Sequence, residues 1–192
     1  MGTVVHRLEL GASKPSGSGR RKKGGADEPA DHALGRSRGG FGTKVHLVTD
    51  GRGLPLAALA SPGQHQELGY AEELLGTIRI RQRRGRPRCR AAALAGDRGY
   101  SARRFYRYLR RRGIEPVIPQ RRRPRGYRPR RGRPRTFNRV KYRGRNVIER
   151  SVGCLKERRH LATRYDKLAC NYLAMIKLAI ILRYVKRLSD TA

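Results

Sequence analysis

Residues 141–167 read KYRGRNVIERSVGCLKERRHLATRYDK, and the periodicity of this stretch decides the fold. A helix advances about 100° per residue, so residues four or seven apart stack on one face. Tyr142, Arg145, Glu149 and Lys156 fall in a stripe about 60° wide. Ile148, Val152 and Leu155 form an apolar stripe directly beside it. The spacing predicts one helix with a side in a core and its neighbouring edge presenting a carboxylate among cations. Acids are scarce in this chain, with 14 Asp plus Glu against 47 Lys plus Arg. Glu149 inside a basic run therefore needs a reason. A carboxylate can hold a divalent metal while the cations hold phosphate. The same spacing also suits a plain ion pair of Glu149 with Arg145, worth a few tenths of a kcal/mol.

Outward from this stretch, composition sets the class. The chain has 192 residues and a formal net charge of +33. That length suits one domain with a flexible arm. A domain with that excess repels itself unless an anion is bound, and nucleic acid is the obvious polyanion. Recurrent apolar runs argue against a disordered protein of the membrane surface. The opening GTVVHRLEL is too short for a secretory signal. The run LACNYLAMIKLAIILRYVKRL (168–188) is interrupted by Lys177 and Arg183, short of the roughly 20 apolar residues a span requires, and reads as a buried helix. A protein of the cytoplasm, associated with the nucleoid and not with a membrane, is expected. Cys89, Cys154 and Cys170 form no CxxC pair, so reduced thiols are expected rather than a zinc site or disulfides.

In chain order, Gly2–Val5 (GTVV) is β-prone, and Gly11–His32 is a loop rich in Gly, Ser, Pro and charge. Thr43–Asp50 and Leu54–Ala60 are strand-like around the turn Asp50-Gly51-Arg52-Gly53, which predicts an antiparallel hairpin with Asp50 as a turn residue. Ser61-Pro62-Gly63 ends the second strand. A helix is expected from about Gln66 to Ile78. The loop Arg79–Arg90 holds seven arginines and no acid. Ala91–Ala95 reads as a strand, and a helix follows with Ser101 as its N-cap and Gly113 just past its end. Glu115–Ile118 reads as another strand, completing an α/β unit. Asp97 lies just past the carboxyl end of its strand, where open α/β sheets place ligand sites; an Asp before Arg-Gly also suits a turn. Between Gln120 and Arg145 stand twelve arginines and one lysine without an acid. Tyr127 and Phe137 interleave this charge and suit stacking on bases, and the contacts expected are mostly to phosphate.

Tyr142-x2-Arg145-x3-Glu149-x6-Lys156 resembles the Y-R-E-K signature of bacterial insertion-sequence transposases, the DDE enzymes with an RNase H-like core. GRSRGGFGTKVHLVTDGRGLPL (35–56) resembles that family's hairpin after its first strand. LAGDRGY (94–100) resembles the segment bearing its second catalytic Asp. RHLATRYDKLACNYLAMIKLAIIL (159–182) resembles its C-terminal region, and RKKGGADEPADHALGRSRGG (21–40) the loop before the hairpin. The resemblance runs from Arg20 to Val185. It implies an α/β fold, an RNase H-like mixed sheet flanked by helices. The expected organisation is a remnant of the first strand plus a flexible basic loop over 1–42, a catalytic core over 43–188 with a basic insert at 120–145, and a tail at 189–192.

The resemblance further implies that Asp97 and Glu149 are catalytic and hold Mg²⁺ or Mn²⁺, and that Tyr142, Arg145 and Lys156 hold DNA. Its implied partners are transposon-end and target DNA, with a homo-oligomer or a partner from an upstream reading frame. The family's first acid precedes a strand that corresponds here to GTVV, and Met1 stands at that position; the first strand is therefore expected to be clipped. Two carboxylates supply a charge of −2 against +4 from two Mg²⁺ ions, so this chain alone is expected to be inactive or severely weakened while still binding DNA. Three functions fit the residues: a transposase catalytic-domain fragment, a non-catalytic DNA-binding regulator of transposition, and a generic basic nucleic-acid-binding protein.

Overall fold

The hairpin predicted around Asp50 forms the centre of the structure, a computed structural model that describes residues 32–37, 40–120 and 137–190. Strand β2 (Gly40–Thr49) pairs antiparallel with β3 (Pro55–Pro62), in one register from Thr43 opposite Pro62 to Val48 opposite Ala57, then shifted by one residue to put Thr49 opposite Pro55. A short strand β1 (Gly35–Ser37) pairs antiparallel with the start of β2. The turn is built by Asp50, whose Oδ1 accepts the amides of Arg52 at 2.9 Å and Leu54 at 2.8 Å. Asp50 is thus the turn residue its sequence context indicated.

Side chains alternate across a strand, and β2 is apolar on both faces. Val45 and Leu47 join one core with Ile148, Leu155, Leu161, Tyr172 and Ile176. Val48 joins the other with Leu74, Leu75, Leu94, Phe105 and Leu109. Helix α1 (Glu67–Thr77) and helix α2 (Arg103–Arg111) supply the second core. Helices α4 (Asn146–Lys156), α5 (Arg159–Ala162) and α6 (Ala169–Ser189) supply the first. The molecule is α/β, with helices against both faces of the hairpin.

The α/β unit expected downstream is present. Strand β4 (Ala93–Ala95) and β5 (Glu115–Val117) run parallel, joined through α2. Gly113 takes φ +67° just past α2 and lets the chain turn into β5. Ser101 is not the cap of this helix; Ala102 holds that position and no side chain caps it. A 3₁₀ turn at Arg98–Tyr100 displaces Ser101 from it.

Two further expectations are corrected, that of one helix from Tyr142 to Lys156 and that of a buried C-terminal helix. Among the described residues, which do not include the strand expected at Gly2–Val5, β1–β3 and β4–β5 pair as two sheets. An apolar cleft lies between them, lined by His46, Leu47 and Val48 of β2 and Leu94 and Ala95 of β4, with Leu74 and Leu75 of α1. The helix read from Tyr142 to Lys156 is two helices: α3 (Arg139–Arg143), capped by Asn138, and α4. At Gly144 the chain tightens, so the amides of Arg145 and Ile148 bond back only three residues, to Tyr142 and Arg145. Lastly, α6 is not a buried helix. Tyr172, Ile176 and Ala179 are buried, whereas Leu178, Ile181, Leu182, Val185 and Leu188 are exposed.

No described helix is long and apolar enough to cross a membrane. Cys154 and Cys170 are exposed free thiols, and Cys89 is a half-buried one. The strand expected at Gly2–Val5, the loop expected at Gly11–His32 (all but its last residue) and the basic insert between Arg121 and Thr136 lie outside the described residues.

The hairpin turn is keyed to α4. Gly53 has φ +85°, and a Cβ there would stand 2.7 Å from Val147 Cγ1 and 3.2 Å from the Val147 carbonyl. Ser151, fully buried on α4, donates its hydroxyl to the Gly53 carbonyl. Gly53→Ala is expected to destabilise the chain by about 2–4 kcal/mol, through backbone strain and overpacking together. A urea midpoint equal to that of the parent chain would contradict this close fit.

Helix α6 is tied to β3 by the Tyr184 hydroxyl, which donates to the Pro55 carbonyl at 2.9 Å. Burial first, and the Asp50 carboxylate second, push the Tyr184 phenol above its ordinary value of about 10. A raised folded-state value means the neutral phenol is favoured by folding. That stability is complete below pH about 10 and is lost as pH rises through the folded value. Tyr184→Phe is expected to cost about 1 kcal/mol at neutral pH and to flatten the alkaline loss. Urea melts across the alkaline range check this, and identical slopes in the two chains would count against it.

Candidate active site

Asp97 is positioned by strand β4. The strand ends at Ala95, and Asp97 caps the 3₁₀ turn, its Oδ1 accepting the Gly99 amide at 2.8 Å. A Cβ at Gly99 would stand 2.9 Å from Asp97 Oδ1 and would push the carboxylate from its present place. The Asp-x-Gly spacing therefore holds the carboxylate beyond the carboxyl end of a parallel strand. Asp97 is half-buried.

Glu149 is positioned by the first turn of α4, where the helix dipole favours a carboxylate. The residue is exposed, and its Oε1 lies 2.9 Å from Arg145 Nη2. The Arg145 guanidinium also sits over the Tyr142 ring, 5.6 Å from its centroid. Phe137 packs on the Tyr142 ring at 5.1 Å with a 58° tilt. Phe137, Tyr142, Arg145 and Glu149 thus form one continuous group despite the break in the helix.

Tyr142 links this group to the strand that carries Asp97. Its ring packs against Ala93 and Ala95 of β4 and Val117 of β5. Lys141, beside it, pairs with Glu115 at the start of β5. Helix α3 therefore lies on the β4–β5 pair, and Asp97 is two residues beyond the covered segment of β4. The structure brings Tyr142, Arg145 and Glu149 into contact. Lys156 is not part of that group: it ends α4, about 10 Å further along the helix axis than Glu149.

Sequence reasoning missed the Lys141–Glu115 pair and the buried Arg164. Glu115 carried no signal beyond being an acid in a basic chain. Arg164 stands in the TRYDK segment, and the cue was an arginine among residues whose spacing is otherwise apolar and aromatic. It is 1% exposed. Its Nε donates to the Asp166 carbonyl and its Nη2 to the Lys167 carbonyl, each at 2.8 Å. Its Nη1 donates to the Thr43 hydroxyl and to the Ala33 carbonyl, and its guanidinium lies over Tyr172. Arg164 ties the C-terminal segment to the start of the hairpin; it is structural, not a DNA contact.

The arginines of the loop between α1 and β4 are exposed throughout, from Arg79 to Arg90. Arg79 folds back on the Gly76 and Ile78 carbonyls at the end of α1. On α2 the residues Arg103, Arg107, Arg110 and Arg111 face solvent, while Arg104 pairs with Glu72 at 3.3 Å. The cationic surface among the described residues therefore includes the loop between α1 and β4 and the outer side of α2.

Carboxylate oxygen is the right donor chemistry for Mg²⁺ or Mn²⁺. Among the described residues no cluster of three or more acidic, His or Cys side chains could hold a metal ion. Asp97 and Glu149 alone are an incomplete donor set.

The family model described as the transposase DDE domain matches residues 15–183. The chain belongs to this family. It is also 37% identical over 142 residues to a Burkholderia cepacia protein named as the transposase for insertion sequence element IS402. That alignment takes in 73% of this chain and 62% of the relative, so the chain corresponds to under two thirds of the relative's length. No solved structure gives a significant match. Membership of the DDE transposases supports a role in transposition and sets aside the generic basic nucleic-acid binder.

Proposed function

We propose that this chain is the catalytic domain of a DDE transposase, with an RNase H-like arrangement in which Asp97 and Glu149 converge beside a DNA track. The observation that carries the reading is the packing of Tyr142 on β4. It connects the Glu149 group to the strand that ends at Asp97. In this reading the substrate is double-stranded DNA at transposon ends and target sites. The reaction is phosphodiester cleavage followed by strand transfer.

Each side chain then has a role set by its chemistry. Asp97 and Glu149 would hold the divalent ion, Mg²⁺ or Mn²⁺, whose charge stabilises the phosphate oxygens during displacement. Arg145, already oriented by Glu149 and by the Tyr142 ring, presents a planar donor fork to a backbone phosphate. Tyr142 fixes the height of that fork above the sheet and offers a hydroxyl to the same strand. Lys156, at the far end of α4, contacts phosphate about two turns further on, extending the track along the helix.

The polypeptide alone binds DNA in this reading and cleaves it weakly or not at all, because two carboxylates balance half the charge of two divalent ions. Two assays test the assignment. Mn²⁺ titration followed by electron paramagnetic resonance should show weak binding that Asp97→Asn and Glu149→Gln each reduce by about tenfold or more. A nicking assay on labelled end DNA with Mg²⁺ should show little product from the pure chain. Unchanged Mn²⁺ binding in both variants would remove the two acids from the site. Robust nicking by the pure chain would overturn the proposed weakness, and nicking insensitive to either variant would overturn the active site itself.

A further inference from the structure

The loop between α1 and β4 is closed into a narrow finger. Ile80 and Arg88 exchange both backbone hydrogen bonds, the Ile80 amide donating at 2.9 Å and the Arg88 amide at 2.8 Å. Residues 81–87 project from that single bridged pair, and every one of them is exposed. Gln82 folds inward, its side-chain amide donating to the Ile80 carbonyl at 3.3 Å. The arginines at the base also fold back: Arg79 onto the Gly76 carbonyl and Arg88 onto the Arg90 carbonyl. The guanidinium groups of Arg81, Arg83, Arg84 and Arg86 have no hydrogen-bond or ion-pair partner among the described residues. Like charges this close repel, and the stretch 79–90 holds no acid to offset them.

Gly85 lies near the middle of the finger with φ +84°, and a Cβ built there would meet no atom within 4 Å. The glycine therefore clears no space for the fold. It lets the backbone take a left-handed turn and come close to whatever the finger touches. Pro87 follows with its φ fixed and no amide to donate. Two guanidiniums thus flank a bare stretch of backbone. The hexapeptide RRGRPR at 83–88 recurs letter for letter at 130–135, in residues outside the described structure. Arginine richness alone repeats arginines; it does not put a glycine and a proline back in the same places between them.

The shape and charge of the finger select one part of a DNA duplex. The major groove, about 12 Å wide, takes a helix or a two-stranded ribbon. A loop with one bridged pair is neither. The minor groove, about 6 Å wide, takes a thin extended chain, and phosphates flank it on both sides. Its negative potential deepens where runs of A·T pairs narrow it, and guanidinium groups are drawn into it there. On the groove floor A·T pairs show only acceptors, whereas G·C pairs add the guanine amino donor. Arginine carries donors alone, so it finds partners on the first floor and an obstruction on the second.

The geometry points to Arg84 and Arg86, on either side of Gly85, entering the minor groove of A·T-rich duplex DNA and giving this chain a preference for such sequence. The inference rests on the proposed action on duplex DNA, to which it adds a place of contact and a base preference. It asks nothing of Asp97 or Glu149. The preference multiplies the attraction to phosphate and does not replace it, so salt weakens binding to every duplex alike.

Fluorescence anisotropy at one fixed salt concentration tests this with the full chain. The probes are duplexes of equal length that differ only in a central block of A·T, G·C or inosine·C pairs. Inosine lacks the guanine amino group, so its pair with C resembles A·T in the minor groove and G·C in the major groove. The chain is expected to bind the A·T and inosine·C blocks about tenfold more tightly than the G·C block. The double variant Arg84→Lys, Arg86→Lys keeps the charge of the exposed loop without the planar fork. It is expected to bind all of the blocks alike, with the salt slope of the parent. An inosine·C block bound like G·C, a parent chain that binds every block alike, or an A·T preference that survives in the lysine variant would each overturn the inference while duplex binding itself stands. A chain that binds none of the duplexes would sink the reading of DNA as substrate along with it.

Discussion

Raising the salt concentration from about 50 mM to about 200 mM is expected to weaken binding of this chain to duplex DNA by about 10³- to 10⁵-fold. The number of available cations sets the size of the effect. Seven arginines lie exposed between Arg79 and Arg90, and α2 and α3 add Arg103, Arg107, Arg110, Arg111, Arg139 and Arg143. Each guanidinium that meets a phosphate releases a condensed counterion, and the release grows less favourable as salt rises. Engagement of 6–10 phosphates, an order-of-magnitude figure for such a surface, gives the stated range. Because these contacts address phosphate, affinity for end DNA and for unrelated duplex should fall in parallel. Replacing one contacting cation, for example Arg143→Ala, should reduce the slope of log affinity against log salt by about 1. Fluorescence anisotropy across a salt series measures this. A slope near zero would mean that the cationic surface is not the DNA-binding surface.

Arg164→Ala is expected to lower folding stability by about 3–5 kcal/mol, the scale for breaking a buried charged network. That is a large fraction of the roughly 5–15 kcal/mol available to a domain, so the variant should accumulate poorly as folded protein. The residue is 1% exposed, and its partners span the molecule: Ala33 and Thr43 at the start of the hairpin, Asp166 and Lys167 after α5, and the ring of Tyr172 on α6. Truncation removes a donor from the Asp166 and Lys167 carbonyls and one of the two donors to the buried Ala33 carbonyl, which keeps the Thr43 hydroxyl at 2.6 Å, and it opens a space beside Tyr172. Arg164→Lys keeps the charge but not the fork; it should cost on the order of 2 kcal/mol, because a single ammonium cannot reach all of these acceptors. Urea denaturation gives both values. Midpoints within experimental error of the parent would show that the hairpin and the C-terminal segment are held by something else. DNA binding by any folded fraction should be unchanged, since the side chain is sealed from solvent.

The residues that were legible in the sequence are those whose role is local. Asp50 and Gly53 announce a turn because the side chain of one and the positive φ of the other act within a few residues. Asp97 acts as locally, its side chain accepting the Gly99 amide two residues on. The strand–helix–strand order from β4 to β5 follows from alternating runs and a glycine stop. The i,i+4 pair of Arg145 and Glu149 is likewise a property of one helical turn, and it survives the break at Gly144 because Arg145 remains helical. The break itself was not legible: a lone glycine is tolerated inside many helices, and the packing of Tyr142 on β4 and β5 accompanies a separate α3.

By itself the sequence determined the α/β class, the hairpin and its turn, the cationic character of the surface and the family signature. These depend on neighbouring residues and on total charge. Only the tertiary structure decided that the strands of the described residues pair as two sheets, that Arg164 is buried, and that Lys156 lies apart from the Tyr142 group. Only it showed that α6 keeps one apolar face in solvent. A helix that is apolar on two faces gives no sign of which one its own chain will cover, because burial is set by what packs against it and not by its own residues.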